Sequence, residues 1–283
     1  MRAGTFAVRL CIEFDQWPLN DGEIASVLQA IFLPFRVKRL HLSLTYKNLV
    51  KSSMLPEAML SDLMDFSLSG KLSLALPWSQ LQSLDIQHIS IGDLHPLVEI
   101  LHQMPKLQVL KLEIYKSHID ALQELTLPSL RDFCPEVHRD VDESGDLNVV
   151  LRSFTCPSLV KLKLRVGPWA VESFEIVKRQ YNIRGLEECE LQVVHVPLSI
   201  SSILQSAPIL RMLSVHVDAV LDDAAIHGLS SGALGRCLTS LTLGRIDYDV
   251  NEVVDMVRKR LKTVNALIEN GCSWREDIIW VRD

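Results

Sequence analysis

The chain has 283 residues, 48% of them hydrophobic, with 12 glycines and a net charge of −6. It is apolar enough to bury a core, and its acidic balance gives no general attraction to nucleic acid or to an anionic membrane. No segment approaches the ~20 uninterrupted apolar residues of a membrane helix. The opening MRAGTFAVRLCIEFDQ lacks the apolar stretch of a secretory signal. Six widely spaced cysteines (Cys11, Cys134, Cys156, Cys189, Cys237, Cys272) never form C-x-x-C. Reduced thiols in a cytoplasmic or nuclear protein are therefore expected.

Taken in order, residues 1–36 read as a worn first repeat or a cap. They hold a strand-like Ala7–Phe14, a turn with Pro18, Asn20 and Gly22, and a helix near Glu23–Phe32. Val37–Leu44 is the first convincing strand. An insertion or degenerate repeat follows over about 45–76, with Leu55–Phe66 helical and Leu72–Leu76 alternating like an extra strand. Leu81, Leu84 and Ile86 then form a strand with alternate side chains buried, and Leu97, Ile100, Leu101 and Met104 one stripe of a helix. Pro105 stops that helix, and Leu107, Leu110, Leu112 and Ile114 open the next strand. Further helices are expected near Leu94–Met104, Ile119–Leu125, Ala170–Tyr181, Ile200–Ser206, Asp222–Leu234 and Val250–Leu261. Arg139–Asn148 reads as an acidic interruption with a turn at Ser144-Gly145. Residues 250–283 read as a terminal helix and cap.

The grammar repeats. Proline, any residue, then Leu-x-x-[Leu/Phe] occurs at Pro105–Leu110, Pro128–Phe133, Pro157–Leu162 and Pro208–Leu213, with weaker copies at Val37–Leu44, Leu186–Val193 and Leu238–Leu243. The fourth strand positions are Leu84, Leu110, Phe133, Leu162, Cys189, Leu213 and Leu241, at intervals of 26, 23, 29, 27, 24 and 28 residues. Leucine-rich repeats run about 20–29 residues, one strand and one helix each. The expectation is a single α/β solenoid over 1–283, a horseshoe with parallel strands on its concave face and helices on its convex face. Its repeats span 37–249. Position nine, normally Asn or Cys, holds Ile89, Tyr115, Gly167, Val194, Asp218 and Ile246. Longer, less regular strand-to-helix loops are therefore expected. Trp78, Trp169, Trp274 and Trp280 sit near repeat edges and read as filling gaps between units.

Strand positions three, five and seven point away from the helices. They give Ser83, Asp85, Gln87; Val109, Lys111, Glu113; Lys161, Lys163, Arg165; Glu188, Glu190, Gln192; and Met212, Ser214, His216. The basic row Lys161/Lys163/Arg165 thus lies beside the acidic pair Glu188/Glu190. Two readings stand. Either the rows form a cross-strand ladder contributing about 0–1 kcal/mol per exposed pair, or they receive a charged protein partner on a concave solenoid surface. The candidate protein-binding residues are Lys161, Lys163, Arg165, Glu188, Glu190, Asp85, Lys111, Glu113 and His216.

Motifs of catalysis are weak. Gly228–Gly232 matches G-x-S-x-G, but every histidine precedes Ser230, against the serine–acid–histidine order of that motif, and it reads as a flexible loop. His138-Arg139-Asp140 lacks the asparagine that a kinase loop needs five residues on. Asp140–Leu151 starts like a calcium loop yet ends on Leu151 where a bidentate Glu is required. Arg258-Lys259-Arg260 with Lys262 reads as helix-end cations complementing the dipole. No catalytic residue, cofactor or metal is expected, and the chain does not read as an enzyme.

LPWSQLQSLDI (76–86), EILHQMPKLQVLKLEI (99–114), FTCPSLVKLKLRV (154–166) and SSILQSAPILRMLSV (201–215) together resemble the leucine-rich-repeat region of F-box proteins of mushroom-forming fungi. Across roughly 37–283, the resemblance implies the substrate-recognition part of a cullin-type ubiquitin ligase adaptor. It implies as partners a protein substrate and the ligase's adaptor. No F-box is recognisable in the chain, and no docking residue is carried over. The other class is a repeat scaffold or regulator unrelated to ubiquitin.

Overall fold

The structure is a computed structural model describing residues 8–14, 26, 30, 37–44, 62–69, 76–90, 94–115, 123–138, 145–168, 171–194, 198–215, 219–243 and 253–260. It is an α/β fold of parallel strands alternating with helices, in two compact units. The first comprises residues 1–140 with 153–155, the second 141–152 with 156–283.

In the first unit, β1 (Val8–Phe14), β2 (Val37–Leu44), β3 (Asp65–Ser69), β4 (Ser83–Ser90), β5 (Val109–Tyr115) and β6 (Asp132–His138) lie side by side in chain order, each parallel to the next. Parallel neighbours need a crossover between them, and α1 (Leu94–Leu101) supplies one between β4 and β5. Leu40, Phe66, Leu84, Leu110 and Phe133 share one register across β2 to β6, and all are buried. Aromatic edges close the layer beneath. Phe66 meets Trp78 at 6.3 Å and Phe133 meets Phe154 at 5.5 Å, both T-shaped.

In the second unit, β7 (Lys161–Pro168), β8 (Glu188–Val194), β9 (Met212–Val215) and β10 (Ser240–Leu243) follow the same rule. Leu162, Cys189, Leu213 and Leu241 share one register and are buried. The helices are α2 (Gly145–Ser153), α3 (Val171–Gln180), α4 (Ile200–Ser206) and α5 (Asp223–Ser231), with a further helix over 253–260. Each buries one stripe: Leu147, Val150 and Leu151; Ile176 and Val177; Ile200, Ile203 and Leu204; Ala225 and Leu229. Buried Ser173 on α3 donates to Asn148 Oδ1 on α2, so each satisfies the other where no water reaches.

The backbone explains the sequence grammar. Ahead of β4 to β10, the amide of the leading leucine bonds the carbonyl three residues back: Leu81 to Trp78, Leu107 to Met104, Leu130 to Leu127, Leu159 to Cys156, Leu186 to Ile183, Leu210 to Ala207 and Leu238 to Gly235. In the four copies with the proline spacing, Pro105, Pro128, Pro157 and Pro208 are the second residue of that turn, where a fixed φ is an advantage. Each strand entry then stacks on the next. The carbonyls of Met64, Gln82 and Gln108 in the first unit, and of Val160, Glu187 and Arg211 in the second, each accept two consecutive amides from the following repeat.

Several expectations are corrected. The helix expected over Leu55–Phe66 does not reach its end, because Asp65 and Phe66 open β3. The long gap from Leu40 to Leu84 thus holds a repeat, with Phe66 as its core residue. Leu76 is not in a strand, and 72–75 lie outside the described residues. Leu125, expected as a helix end, instead opens a short strand, Leu125–Thr126, that pairs in parallel with Phe154–Thr155. The acidic interruption becomes helical from Gly145, since Leu147, Val150 and Leu151 form an apolar stripe. Ile89, Tyr115, Gly167 and Val194 all lie within strands rather than loops. Register shifts occur at Ile86/Ile89 and Gln192/Val194, and residues 91–93, 116–122, 169–170 and 195–197, where the longer loops are expected, lie outside the described residues. Asp218, Ile246, Trp169, Trp274 and Trp280 lie outside the described residues.

Candidate functional site

The strand alternation that buries Leu162 and Cys189 turns their neighbours to solvent. In the second unit this gives two rows in register: Lys161, Glu188, Met212, Ser240 and Lys163, Glu190, Ser214, Thr242. Lys161 Nζ lies 2.6 Å from Glu188 Oε1 and Lys163 Nζ 3.2 Å from Glu190 Oε2. Gln192 Nε2 donates to Glu190 Oε1 at 3.0 Å. The expected basic and acidic rows are therefore in contact as a cross-strand ladder. These side chains are between a fifth and two fifths exposed, so each pair contributes about 0–1 kcal/mol to stability. The ladder orders charge across the face more than it holds the fold. Arg165 is paired with Gln192 in backbone register; His216 lies outside the described residues.

In the first unit the corresponding face carries His41, Ser67, Asp85 and Lys111 in one row. His41 Nδ1 is 2.8 Å from Ser67 Oγ. Burial pushes the Asp85 carboxyl above its ordinary value, and the charges of Lys111 and His41 only partly offset this. Arg39 Nε and Asp65 Oδ2 pair at 2.7 Å one row away.

Glu113 belongs to a group that sequence reasoning missed. It lies directly opposite Glu136 in the β5–β6 register. His138, two residues along the same face of β6, brings Nε2 to 2.9 Å from Glu136 Oε1 and 3.1 Å from Glu113 Oε1. Donor atoms of all three lie within 4.8 Å of one another. The signal available was the spacing Glu-x-His inside a strand, which places both side chains on one face.

A scan of protein-family models and a search of curated proteins gave no match.

The remaining motifs resolve into structure. Gly228–Ser231 is the last turn of α5 rather than a flexible loop, closed by Gly232 at φ 73°. That left-handed cap is the position glycine takes most readily. Ser230 sits within this helix, not on a strand-to-helix elbow. Arg260 binds helix and turn carbonyls, with its guanidinium on Leu229 O and, at 2.5 Å, Gly235 O. The would-be calcium loop is helical from Gly145 with Leu151 fully buried, and Asp140 and Asp142 lie outside the described residues. Among the described residues, no helix is long and apolar enough to cross a membrane.

Proposed function

We propose that the chain is a leucine-rich-repeat module that binds a protein on the solvent side of its strands. In this reading the repeats form a horseshoe solenoid with strands on the concave and helices on the convex face. The supporting observation is the pair of in-register charged rows, Lys161/Lys163 against Glu188/Glu190. It is a patterned, partly exposed surface whose charges can be read by a partner at little cost to the fold. Through the resemblance, the module would be the substrate-recognition part of an F-box-type ubiquitin ligase adaptor, acting in the cytoplasm or nucleus. A purified cullin-ligase adaptor protein, mixed with the chain and passed over a sizing column, tests that assignment. Co-elution supports it, and separate elution leaves a repeat scaffold or regulator unrelated to ubiquitin.

A further inference from the structure

Glu113 and Glu136 differ from most charged cross-strand pairs on these faces, Arg9 opposite Arg39 being a second pair of like sign. Arg39 faces Asp65, Asp85 faces Lys111, Lys161 faces Glu188 and Lys163 faces Glu190, each joining opposite signs in register. Glu113 faces Glu136. Like charges directly opposite are unfavourable, and here both carboxylates are also only 22% and 24% exposed. Their separation from bulk water makes the repulsion harder to screen. A cation between them removes the conflict.

We propose that Glu113, Glu136 and His138 form a binding site for a divalent transition-metal ion of the Zn²⁺ type. The donor set is one imidazole nitrogen and two carboxylate oxygens, a combination that suits borderline first-row ions. Three side chains from two hydrogen-bonded parallel strands hold it, so the scaffold is rigid. Metal–ligand bonds of about 2.1 Å, spread at octahedral to tetrahedral angles, set neighbouring donors roughly 3.0–3.4 Å apart. The two nitrogen–oxygen edges are 2.9 and 3.1 Å, close to that range, and the edge between the two carboxylates is within 4.8 Å. Three protein ligands leave at least one coordination position to the solvent side of the sheet. A proton on His138 shared by the two glutamates is the competing arrangement, and it binds no metal.

The test is titration of the full chain with Co²⁺ and Zn²⁺ after alkylating the exposed cysteines, which would otherwise take up metal. Expected is one equivalent bound at micromolar or better affinity, with visible Co²⁺ absorption. Glu136→Gln and His138→Asn should each weaken binding by about tenfold or more, whereas Glu99→Gln on the exposed face of α1 should leave it unchanged. Affinity that stays within a few-fold in both site variants, or binding no tighter than millimolar, overturns the site. Should either variant fail to fold, diethylpyrocarbonate labelling of the unmutated chain decides. Protection of His138 by Zn²⁺, located by mass spectrometry, supports the site; equal labelling with and without Zn²⁺ overturns it.

Discussion

Asp222 accepts a hydrogen bond from Ser199 Oγ at 2.6 Å, joining the residue that caps α5 to the residue that caps α4 in the preceding repeat. The same carboxylate accepts from Ser201 Oγ at 2.9 Å and from the Ala225 amide at 2.8 Å. Two helix starts are thus tied by one side chain, beside the parallel pair Leu198–Ser199 and Ala219–Val220. Asp222→Ala should destabilise the fold by about 1–2 kcal/mol in urea unfolding, the upper part of the range for losing an N-cap. Asp222→Asn, which keeps an acceptor for Ala225, should cost less.

A pH dependence follows from the same carboxyl. Partial burial tends to raise its pKa, but the hydrogen bonds from Ser199, Ala225 and Ser201 outweigh that and leave it below the ordinary 3.8. The unfolded chain therefore binds this proton more readily than the folded one. The stabilisation is present above about pH 4 and is lost as pH falls through the lower folded value. Urea midpoints measured at pH 6 and pH 3 should show a smaller acid loss in Asp222→Asn than in the unmutated chain; an equal loss would place the titration elsewhere.

The buried column makes a second contrast. Leu162→Ala removes a side chain that is 1% exposed and should cost about 2–5 kcal/mol. Met212→Ala on the opposite face, 38% exposed, should stay within roughly 0.5 kcal/mol. Similar losses for the two would mean that the faces are misassigned.

Cysteine reactivity gives a third. Burial, with a smaller push from the charge of Glu190, raises the Cys189 thiol to about 12, and burial raises Cys156 to about 12. The thiolate is the reactive form, so both should resist iodoacetamide at neutral pH in the native state. Cys11 and Cys237 are exposed thiols and should be modified before them. Mass spectrometry of briefly alkylated native protein reads the order directly, and early labelling of Cys189 would show that the strand core opens.

Much of the fold was legible because leucines recur in the strand period, and so the register residues Leu84, Leu110, Leu162 and Leu213 could be named from spacing. Helices such as α3 and α4 were equally plain. β3 was hidden because DFSLS offers only Phe66 and Leu68 among small polar residues, and no proline turn announces it. α2 was hidden because an acidic, glycine-containing start masks the stripe Leu147, Val150 and Leu151. The charged rows could be read from alternation within one strand. The Glu113–Glu136–His138 group could not, since it depends on which residue of β6 falls opposite Glu113, a cross-strand register that intervals alone do not fix.

Charge reversal on the second unit's strand face bears most directly on protein binding by the strands. The protein that co-purifies with the chain from cells would first be identified, then measured against variants of matched melting temperature. Lys161→Glu with Lys163→Glu should abolish binding while barely moving the melting temperature, because exposed pairs add little to stability. Adding Glu188→Lys and Glu190→Lys rebuilds the ladder with its polarity inverted, and this fourfold variant should remain unbound. Normal binding by the fourfold variant would mean that the two rows serve only each other, contradicting a partner site on this face.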